Sequence, residues 1–406
     1  MNDDRVINSL SPKALGERVG ERGRPENSPT AFPSPPAPLP QAGEGRNTYR
    51  RILLVCTQRI GDVLLTTPLA RSLKRAWPEA QLDMLVLPGT QGALEGNPDI
   101  ANVIALPQRV SLREKIGQFR SLWRRYDLAL SPLPTDRARL FCWAAGRQRV
   151  GLLQPDGERA KALLLNRWTT FDDLDTHTVV MGLRLAELLG VNPVAEVVPP
   201  AAPWEPVAAK LAALPAGQAY AVLHPYPKFN YKMWTPAGWV ALARWLRGRG
   251  LMIVLTGGPE AAERDYAERI AAELAASDAG VLNLAGQLSL GATAELIRRA
   301  RFFAGPDTAV THIAAATGTP TLALFGPSNP VKWGPWPAGR TTLDSPWPRR
   351  GSGRHGNVHL LQGESEHGCV PCLLEGCERH VDSGSECLRT LTAERVIAAA
   401  EALLTP

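Results

Sequence analysis

The segment whose residue types and spacing are best suited to ligand binding or catalysis runs from Gly305 to Pro320. There a short turn leads into a predicted alanine-rich helix. Asp307 is expected to cap this helix, and the small residues Thr308 and Ala309 leave its first N–H groups accessible. Such a helix start carries a partial positive charge and is a natural site for a pyrophosphate. His312 lies four residues after Thr308, on the same helix face. A buried core histidine is the alternative, but the position of His312 favours a role in anion binding.

Gly61 and Asp62 follow a short apolar run and open the next predicted helix. Ligands of open α/β sheets bind at the carboxyl ends of the strands, and Gly61 would let one approach the backbone there. Asp62 has two open interpretations. It caps the helix, or it is a carboxylate in a cleft that accepts a proton from a hydroxyl nucleophile.

Two more predicted turns carry groups suited to phosphate and sugar. Lys228 and Lys232 lie in a polar loop after a strand, and we interpret Lys232 as a cation for a phosphate rather than as an ordinary surface lysine. In the Thr256 to Glu260 turn, Gly257 would admit a ligand and Glu260 would reach a ribose hydroxyl. Ordinary strand-to-helix turns also use glycine, so this segment alone does not define a site.

Four of the six cysteines fall within the segment 367–388, with spacings of two, four and nine residues between them: Cys369, Cys372, Cys377 and Cys387. The number suits a four-ligand zinc site, but the spacing is not that of a standard zinc ribbon. A structural metal, reduced structural thiols and redox chemistry remain open, and we assign none of these residues as a metal ligand.

The elements that must position these groups alternate between strand and helix. Residues 52–56 form a continuous apolar run typical of a strand buried on both faces, a helix is predicted from Asp62 to Trp77, and a strand follows at 82–87. This alternation predicts a parallel sheet. After a Pro- and Ala-rich stretch at 199–217, the pattern begins again at Tyr220.

The chain of 406 residues is long enough for two such domains. We predict a disordered Pro-rich tail at 1–48, an N-terminal Rossmann-like domain at 49–205 and a C-terminal one at 206–406. Further predicted strands lie at 128–130, 149–152, 252–255, near 302–303 and at 321–325. Further predicted helices lie at 236–247, 260–275, 292–299, 308–317 and 393–403.

Composition excludes several classes of protein. With 44% hydrophobic and 21% charged residues the chain is neither wholly disordered nor collagen-like. No apolar stretch approaches the length of a membrane span, and Asp3 and Asp4 replace the basic start of a signal peptide, so a cytoplasmic location is expected.

Basic residues are concentrated in the segment from Arg109 to Arg167. This segment contains thirteen Lys or Arg and five acidic residues, whereas the whole chain carries a net charge of +6. This segment forms either solvated helix faces or a surface that meets phosphates or anionic lipid. No nucleic-acid recognition motif accompanies it, so nucleic acid is not an expected partner.

Taken together and in order, these segments resemble glycosyltransferase family 9, the lipopolysaccharide heptosyltransferases. The segments that carry the resemblance are Ile52 to Trp77, Lys232 to Trp234, Thr256 to Pro259, Asn283 to Gly286, Asp307 to Ala316, Leu324 to Pro327 and Trp333 to Pro335. Ala309, and Lys232 placed two residues before Trp234, are similar to the members called heptosyltransferase III.

The resemblance implies a GT-B fold, in which two Rossmann-like domains face a central cleft, and inverting transfer with no catalytic metal or other cofactor. It makes Asp62 the general base. Lys232, Thr308 and Ala309 would stabilise the leaving pyrophosphate, Leu288 would face the adenine and Glu260 the ribose.

The implied reaction moves a heptose from ADP-heptose to the phosphorylated inner core of lipid A, at the inner face of the cytoplasmic membrane. The basic segment would then contact anionic lipid peripherally. One alternative keeps the fold but uses another nucleotide-sugar or acceptor. An alternative of another class is a catalytically silent nucleotide-binding module.

Overall fold

A computed structural model describes residues 48–106, 111–155, 159–215, 217–275 and 280–405. The predicted tail, apart from Thr48, lies outside the described residues, as does Arg109 of the basic segment. Two α/β sheets of mainly parallel strands form two Rossmann-like domains, which confirms the predicted fold class. None of the helices in the described ranges is both long and apolar enough to cross a bilayer.

The first sheet has six parallel strands in the order β3-β2-β1-β4-β5-β6. Its strands are β1 (Arg51–Cys56), β2 (Gln81–Val86), β3 (Asn102–Ala105), β4 (Tyr126–Ser131), β5 (Gly146–Leu153) and β6 (Arg167–Thr170). The helices of this half are α1 (Ile60–Leu65), α2 (Thr67–Ala76), α3 (Leu112–Leu122), α4 (Asp136–Ala145) and α5 (Thr178–Leu188), followed by α6 (Glu205–Leu211) before the second sheet.

The second sheet has the order β12-β13-β11-β10-β7-β8-β9, and only the β12–β13 pair is antiparallel. Its strands are β7 (Tyr220–Leu223), β8 (Met252–Leu255), β9 (Val281–Asn283), β10 (Phe302–Pro306), β11 (Thr321–Phe325), β12 (Gly353–His355) and β13 (Val358–Gln362). Its helices are α7 (Pro236–Gly248), α8 (Ala261–Ala275), α9 (Leu290–Arg298), α10 (Ala309–Thr317), α11 (Pro330–Trp333), α12 (Glu386–Arg389) and α13 (Ala393–Leu404).

The strand order reverses once in each sheet, between β1 and β4 and between β7 and β10. At such a switch point the loops after the two central strands diverge and leave a crevice at the carboxyl edge. Asp62 follows β1, Lys232 follows β7 and Asp307 follows β10. Topology alone therefore puts the predicted chemistry beside the two crevices.

The single helix predicted at 62–77 is wrong, because the structure has two helices that meet at Thr66. Pro68 has no N–H to continue the helical hydrogen bonds, and the Leu64 carbonyl accepts from the Thr67 hydroxyl instead, at 2.7 Å. The break lets α1 end early and turns α2 along the sheet.

The sequence did not indicate five strands: the four edge strands β3, β6, β9 and β12, and β13, which lies between β11 and β12. Edge strands are short and partly exposed, so they lack the continuous apolar run that marks a central strand. The proposed boundary between residues 205 and 206 falls at the start of α6, and Val207 of this helix packs in a cluster with Val222 and Leu296 of the second half.

The two halves are in direct contact. The Glu95 carboxylate of the first half accepts from Gly291 N–H at 3.0 Å, and Trp336 Nε1 of the second half donates to the Ala195 carbonyl at 2.7 Å. His177 Nε2 donates to the Gly334 carbonyl at 2.8 Å, since its Nδ1 accepts from Val179 N–H. These bonds fix how the two carboxyl edges face each other.

Candidate functional site

Asp62 lies in the first turn of α1, partly exposed, and its Oδ2 accepts from Arg59 N–H at 3.1 Å. Burial raises the pKa of this carboxyl, and the nearby cations Arg59, Lys332 and Lys232 oppose the rise without cancelling it. Asp62 is not the N-cap of α1, which is Arg59, but its carboxylate accepts from the N–H of that cap residue and lies near cations of the other half. Its role as a proton acceptor stays a prediction.

Lys232 and Asp307 form an ion pair of 2.5 Å between the loop after β7 and the end of β10. Burial works to raise the pKa of Asp307, but Lys232 and a hydrogen bond from Ser328 outweigh it and hold the pKa below its usual range. The pair therefore keeps a buried carboxylate ionised and fixes the lysine ammonium at the crevice.

Asp307 is not the cap of α10, contrary to the sequence prediction. Thr308 is the N-cap, with an extended backbone (φ −138°, ψ 166°), and its hydroxyl accepts from Thr311 N–H at 3.4 Å. Asp307 is excluded from capping because its carboxylate is engaged by Lys232. The first N–H groups of α10, starting at Ala309, have no partner within the helix and lie beside the lysine.

Gly61 and His312 bring the two halves together next to these groups. A Cβ atom placed on Gly61 would lie 3.8 Å from Cδ2 of His312, which is an ordinary van der Waals distance, so the backbone of Gly61 approaches the imidazole closely. Burial lowers the pKa of His312 to about 4, which leaves the ring neutral at neutral pH. Its Nδ1 has no hydrogen-bond partner among the described residues.

The Gly257-Gly258 turn is held by Glu263, which the sequence reasoning missed. Its carboxylate accepts from Gly258 N–H at 2.5 Å, and burial raises its pKa. Glu260 is exposed and precedes α8. An acidic residue in the first turn of the predicted helix was the available signal for Glu263, since such residues often bind nearby N–H groups.

Leu288 lies after β9, partly buried against the cluster that contains Leu284 and Val310. The cluster thus links Leu288 to α10, whose first turn includes Val310. It offers an apolar surface on the same half as Lys232 and the α10 N-terminus.

Lys228 is exposed, and its Nζ lies 5.8 Å from the centre of the Phe229 ring. The Arg59 guanidinium reaches the same ring from the first half, at 4.8 Å. Nothing local in the sequence marks Arg59 as a partner of Phe229, although Arg59 directly precedes the Ile60-Gly61-Asp62 motif.

Lys332 was also missed as a neighbour of Asp62. Its ammonium pairs with Asp173 of the first half and acts electrostatically on Asp62. No local pattern marks it, because Asp173 and Lys332 are distant in sequence.

None of the six cysteines forms a disulfide. Burial, together with the neighbouring Cys372, Cys377 and Cys369, raises the pKa of Cys387 to about 12, so the four thiols of the segment 367–388 lie within electrostatic reach of one another. Within the described ranges, no group of three or more His, Cys, Asp or Glu side chains is arranged to hold a metal ion.

Residues 118–349, more than half of the chain, match the model of glycosyltransferase family 9 (heptosyltransferase). The chain belongs to glycosyltransferase family 9. Among relatives of this family 9 protein, lipopolysaccharide heptosyltransferase 3 of Escherichia coli is 31% identical over 292 residues, which cover 68% of this chain and 83% of the relative.

Solved structures agree on the fold. A family 9 glycosyl transferase from Veillonella parvula has a TM-score of 0.70 at 20% identity, covering 89% of this chain and 98% of its own. The E. coli ADP-heptose heptosyltransferase II has a TM-score of 0.66 at 21% identity, with 87% and 98% covered.

Proposed function

We propose that this family 9 protein is an inverting heptosyltransferase that moves a heptose from ADP-heptose to the inner core of lipopolysaccharide, without a catalytic metal. The proposal rests on one observation. Asp62 lies within electrostatic reach of Lys232, which pairs with Asp307 just before α10, and Gly61 beside Asp62 lies close to His312 of the same helix. A base and a set of phosphate-binding donors thus belong to different halves. The names of the relatives supply the sugar and the acceptor.

In the proposed step an acceptor hydroxyl gives its proton to Asp62 while its oxygen bonds to the anomeric carbon of the sugar. The bond from that carbon to the phosphate oxygen breaks on the opposite face, and ADP leaves with both electrons of that bond. The raised pKa of Asp62 makes it a better proton acceptor than an ordinary aspartate.

Negative charge develops on the leaving diphosphate, and the second half supplies preorganised donors for it. Lys232 has three N–H donors, so it can keep its bond to Asp307 and still donate to a phosphate oxygen. The N–H groups at Thr308 and Ala309 add the partial positive charge of the helix end. Such donors stabilise the departing ADP more than the intact sugar nucleotide.

We assign the nucleoside to the loops after β8 and β9. Gly257 lets the backbone approach the ligand, Glu260 binds the ribose and Leu288 faces the adenine. Lys228, exposed at the crevice loop, would attract the phosphates. Neutral His312 packs against Gly61 beside them.

We assign the phosphorylated lipid A core acceptor to the first half, which holds Asp62 and the basic segment. Because that acceptor is anchored in a bilayer, the enzyme would work as a peripheral protein at the inner face of the cytoplasmic membrane.

Isothermal titration of the protein with ADP, UDP and GDP, with a chelator present, tests the donor. We expect selective ADP binding that weakens about 10- to 100-fold in Lys232→Ala, because a charge-assisted hydrogen bond is lost. Lys210→Ala is the matched control, since among the described residues the Lys210 ammonium bonds only Gln287, on the surface.

Transfer from ADP-heptose to a heptose-deficient core acceptor then tests the reaction. Preferential binding of UDP or GDP would reject ADP-heptose as the donor, but it would remain consistent with a glycosyltransferase that uses another nucleotide-sugar. If the protein bound a nucleotide but formed no glycosyl product from any donor of a panel, the transferase would be rejected. The alternative of a catalytically silent nucleotide-binding module would then be supported.

A further inference from the structure

Two neighbouring helices of the first half carry alternating basic and apolar residues on their outward faces. Residues three or four positions apart share one helix face, and both helices follow this spacing. We call this surface the basic–aromatic face; it consists of Arg113, Ile116, Arg120 and Trp123 on α3 and its C-cap, and Arg137, Leu140 and Trp143 on α4.

The opposite sides of the same helices are buried in the first sheet. Phe119 of α3 and Phe141 of α4 stack with ring centres 4.9 Å apart, and Phe141 belongs to a core cluster with Leu53 and Val55 of β1. The basic–aromatic face is therefore held in one shape by the core beneath it.

Large apolar side chains are unusually exposed here. Trp123 is 51% exposed and Ile116 50%, and the Trp123 and Trp143 rings meet edge to face at 5.3 Å. Leu163, within a short 3-10 helix (Arg159–Leu164) that contacts α4, is 82% exposed. Among the described residues, six of the nine exposed large hydrophobics fall between 103 and 163, and four of them, Ile116, Trp123, Leu140 and Trp143, lie on α3, its C-cap and α4, whose ends meet in the contact of the two tryptophan rings.

Three arginines of the face have no acidic partner among the described residues. In the described part of the chain no carboxylate pairs with Arg113, Arg120 or Arg137, while the acids beside them are engaged: Glu114 binds Ser111, and Asp136 binds Arg139 and Lys161. Exposed tryptophans next to unpaired arginines match the headgroup region of an anionic bilayer, where the rings lie among the headgroups and the cations meet phosphates.

The face also has the right orientation for a lipid-anchored substrate. α3 follows β3 and α4 follows β4, so each helix begins at the carboxyl edge of the sheet and runs back along it. Arg113 and Arg137 in the first turns therefore lie toward the edge that holds Asp62, and Trp123 and Trp143 lie toward the other end.

We propose that the basic–aromatic face docks on an anionic phospholipid bilayer and holds the carboxyl edge of the first sheet near the membrane surface. The inference rests on the proposed function, because a lipid-anchored acceptor is what the docked enzyme would reach.

Flotation of the full chain with vesicles tests the proposal. The vesicles contain phosphatidylethanolamine with phosphatidylglycerol, and phosphatidylcholine vesicles are the uncharged reference. One variant combines Trp123→Ser with Trp143→Ser, and another combines Arg120→Glu with Arg137→Glu. Leu373→Ser and Arg301→Glu are matched controls on exposed positions of the second half.

We expect binding to the anionic vesicles only, weakened at least about tenfold in each double variant and unchanged in the controls. High salt should reduce it as well. ADP titration of every variant shows that the fold is intact and tests the proposed function separately, because vesicle binding needs no nucleotide.

Failure of the unmodified protein to float with anionic vesicles would overturn the inference, and so would flotation that both double variants retain. A dimer seen by light scattering that separates in the tryptophan variant, without vesicle binding, would identify a second copy of the chain as the occupant of the face.

Discussion

The Asp62 carboxylate lies where the protein excludes water from it and places three cations near it. Arg59 lies at the start of its own helix, Lys232 and Lys332 approach from the second half, and Cys56 lies behind it at the end of β1. Burial dominates this balance, so the carboxylate is more basic than in solution. A base poised this way can take a proton from a sugar hydroxyl as the new bond forms.

Replacing Asp62 by Asn should reduce kcat by about 10²- to 10⁴-fold, because the amide cannot accept the proton. Nucleotide binding should remain, since the phosphate donors belong to the other half. Steady-state transfer kinetics and ADP titration measure the two effects. Asp265→Asn, on the exposed side of α8, should change neither. Equal loss of ADP affinity and turnover in Asp62→Asn would contradict the role of a base.

The pH dependence of kcat/KM should show the raised pKa of Asp62. The ionised form is the active one, so activity is present above this pKa and is lost as the pH falls through it, at a higher pH than for an ordinary aspartate. Lys332→Met removes one of the cations that lower the pKa of Asp62. The acidic limb of the kcat/KM profile should therefore move to a still higher pH.

Arg349→Met provides the matched control for Lys332, because Arg349 joins the same two segments through Asp175 at 2.6 Å. If both variants moved the acidic limb equally, Lys332 would act only by bridging the halves. Lys332→Arg should restore the original profile.

At the scale of elements, α10 is the helix whose start we propose binds the leaving diphosphate, and Thr308 is its N-cap. Thr308→Val should lower the free energy of unfolding by about 1 kcal/mol, because the Thr311 N–H loses its side-chain acceptor. Thr308→Ser should keep most of the stability. Urea unfolding of the three proteins measures the difference, and equal midpoints would show that the hydroxyl is not the cap.

The sequence was sufficient for most central strands, although it joined α1 and α2 into one helix. The strands β1, β7, β8 and β11 are largely apolar runs, and a polar residue or glycine follows each of them directly, so both their type and their ends could be predicted. The edge strand β3, with its exposed side chains, gave no such pattern.

Pairings between elements were not readable. Asp307 was predicted to be a helix cap because Asp is a common N-cap residue. Its carboxylate instead accepts a hydrogen bond from Lys232, which is 75 residues away in sequence and is brought close only by the fold. Arg59 and Lys332 escaped notice for the same reason, because their partners Phe229 and Asp173 are distant in sequence. Glu263 differs, since its partner Gly258 is only five residues away. The residue types of the site were therefore predictable, while the partner of each was not.

Across the whole molecule, three buried histidines make stability depend on pH. Burial lowers the pKa of His177 to about 3 and those of His224 and His312 to about 4, against 6.5 for a free histidine. Below pH 6.5 the unfolded chain therefore binds protons that the folded chain does not, and stability falls as the pH drops from 6.5 toward 4. Each group contributes a slope of up to about 1.4 kcal/mol per pH unit.

Denaturant titrations from neutral to mildly acidic pH measure this slope. His177→Asn keeps an acceptor for the Val179 N–H and removes one titrating group, so its stability should fall less steeply with pH. His367→Gln, at an exposed position, is the control and should leave the slope unchanged. A slope identical in all three proteins would show that His177 takes up its proton in the folded state.

The contacts that join the two halves have a bearing on how such enzymes diversify. His177 binds the Gly334 carbonyl, Trp336 the Ala195 carbonyl and Asn329 the Leu174 carbonyl, so in each bond one half offers only its main chain. A main-chain carbonyl survives almost any substitution of its residue. At these three bonds the residue that supplies the carbonyl is free to vary, whereas the Lys332–Asp173 and Arg349–Asp175 pairs require particular side chains on both halves. An exchange of one half by recombination would therefore have to keep these two ion pairs, while the carbonyl bonds would form again with almost any sequence.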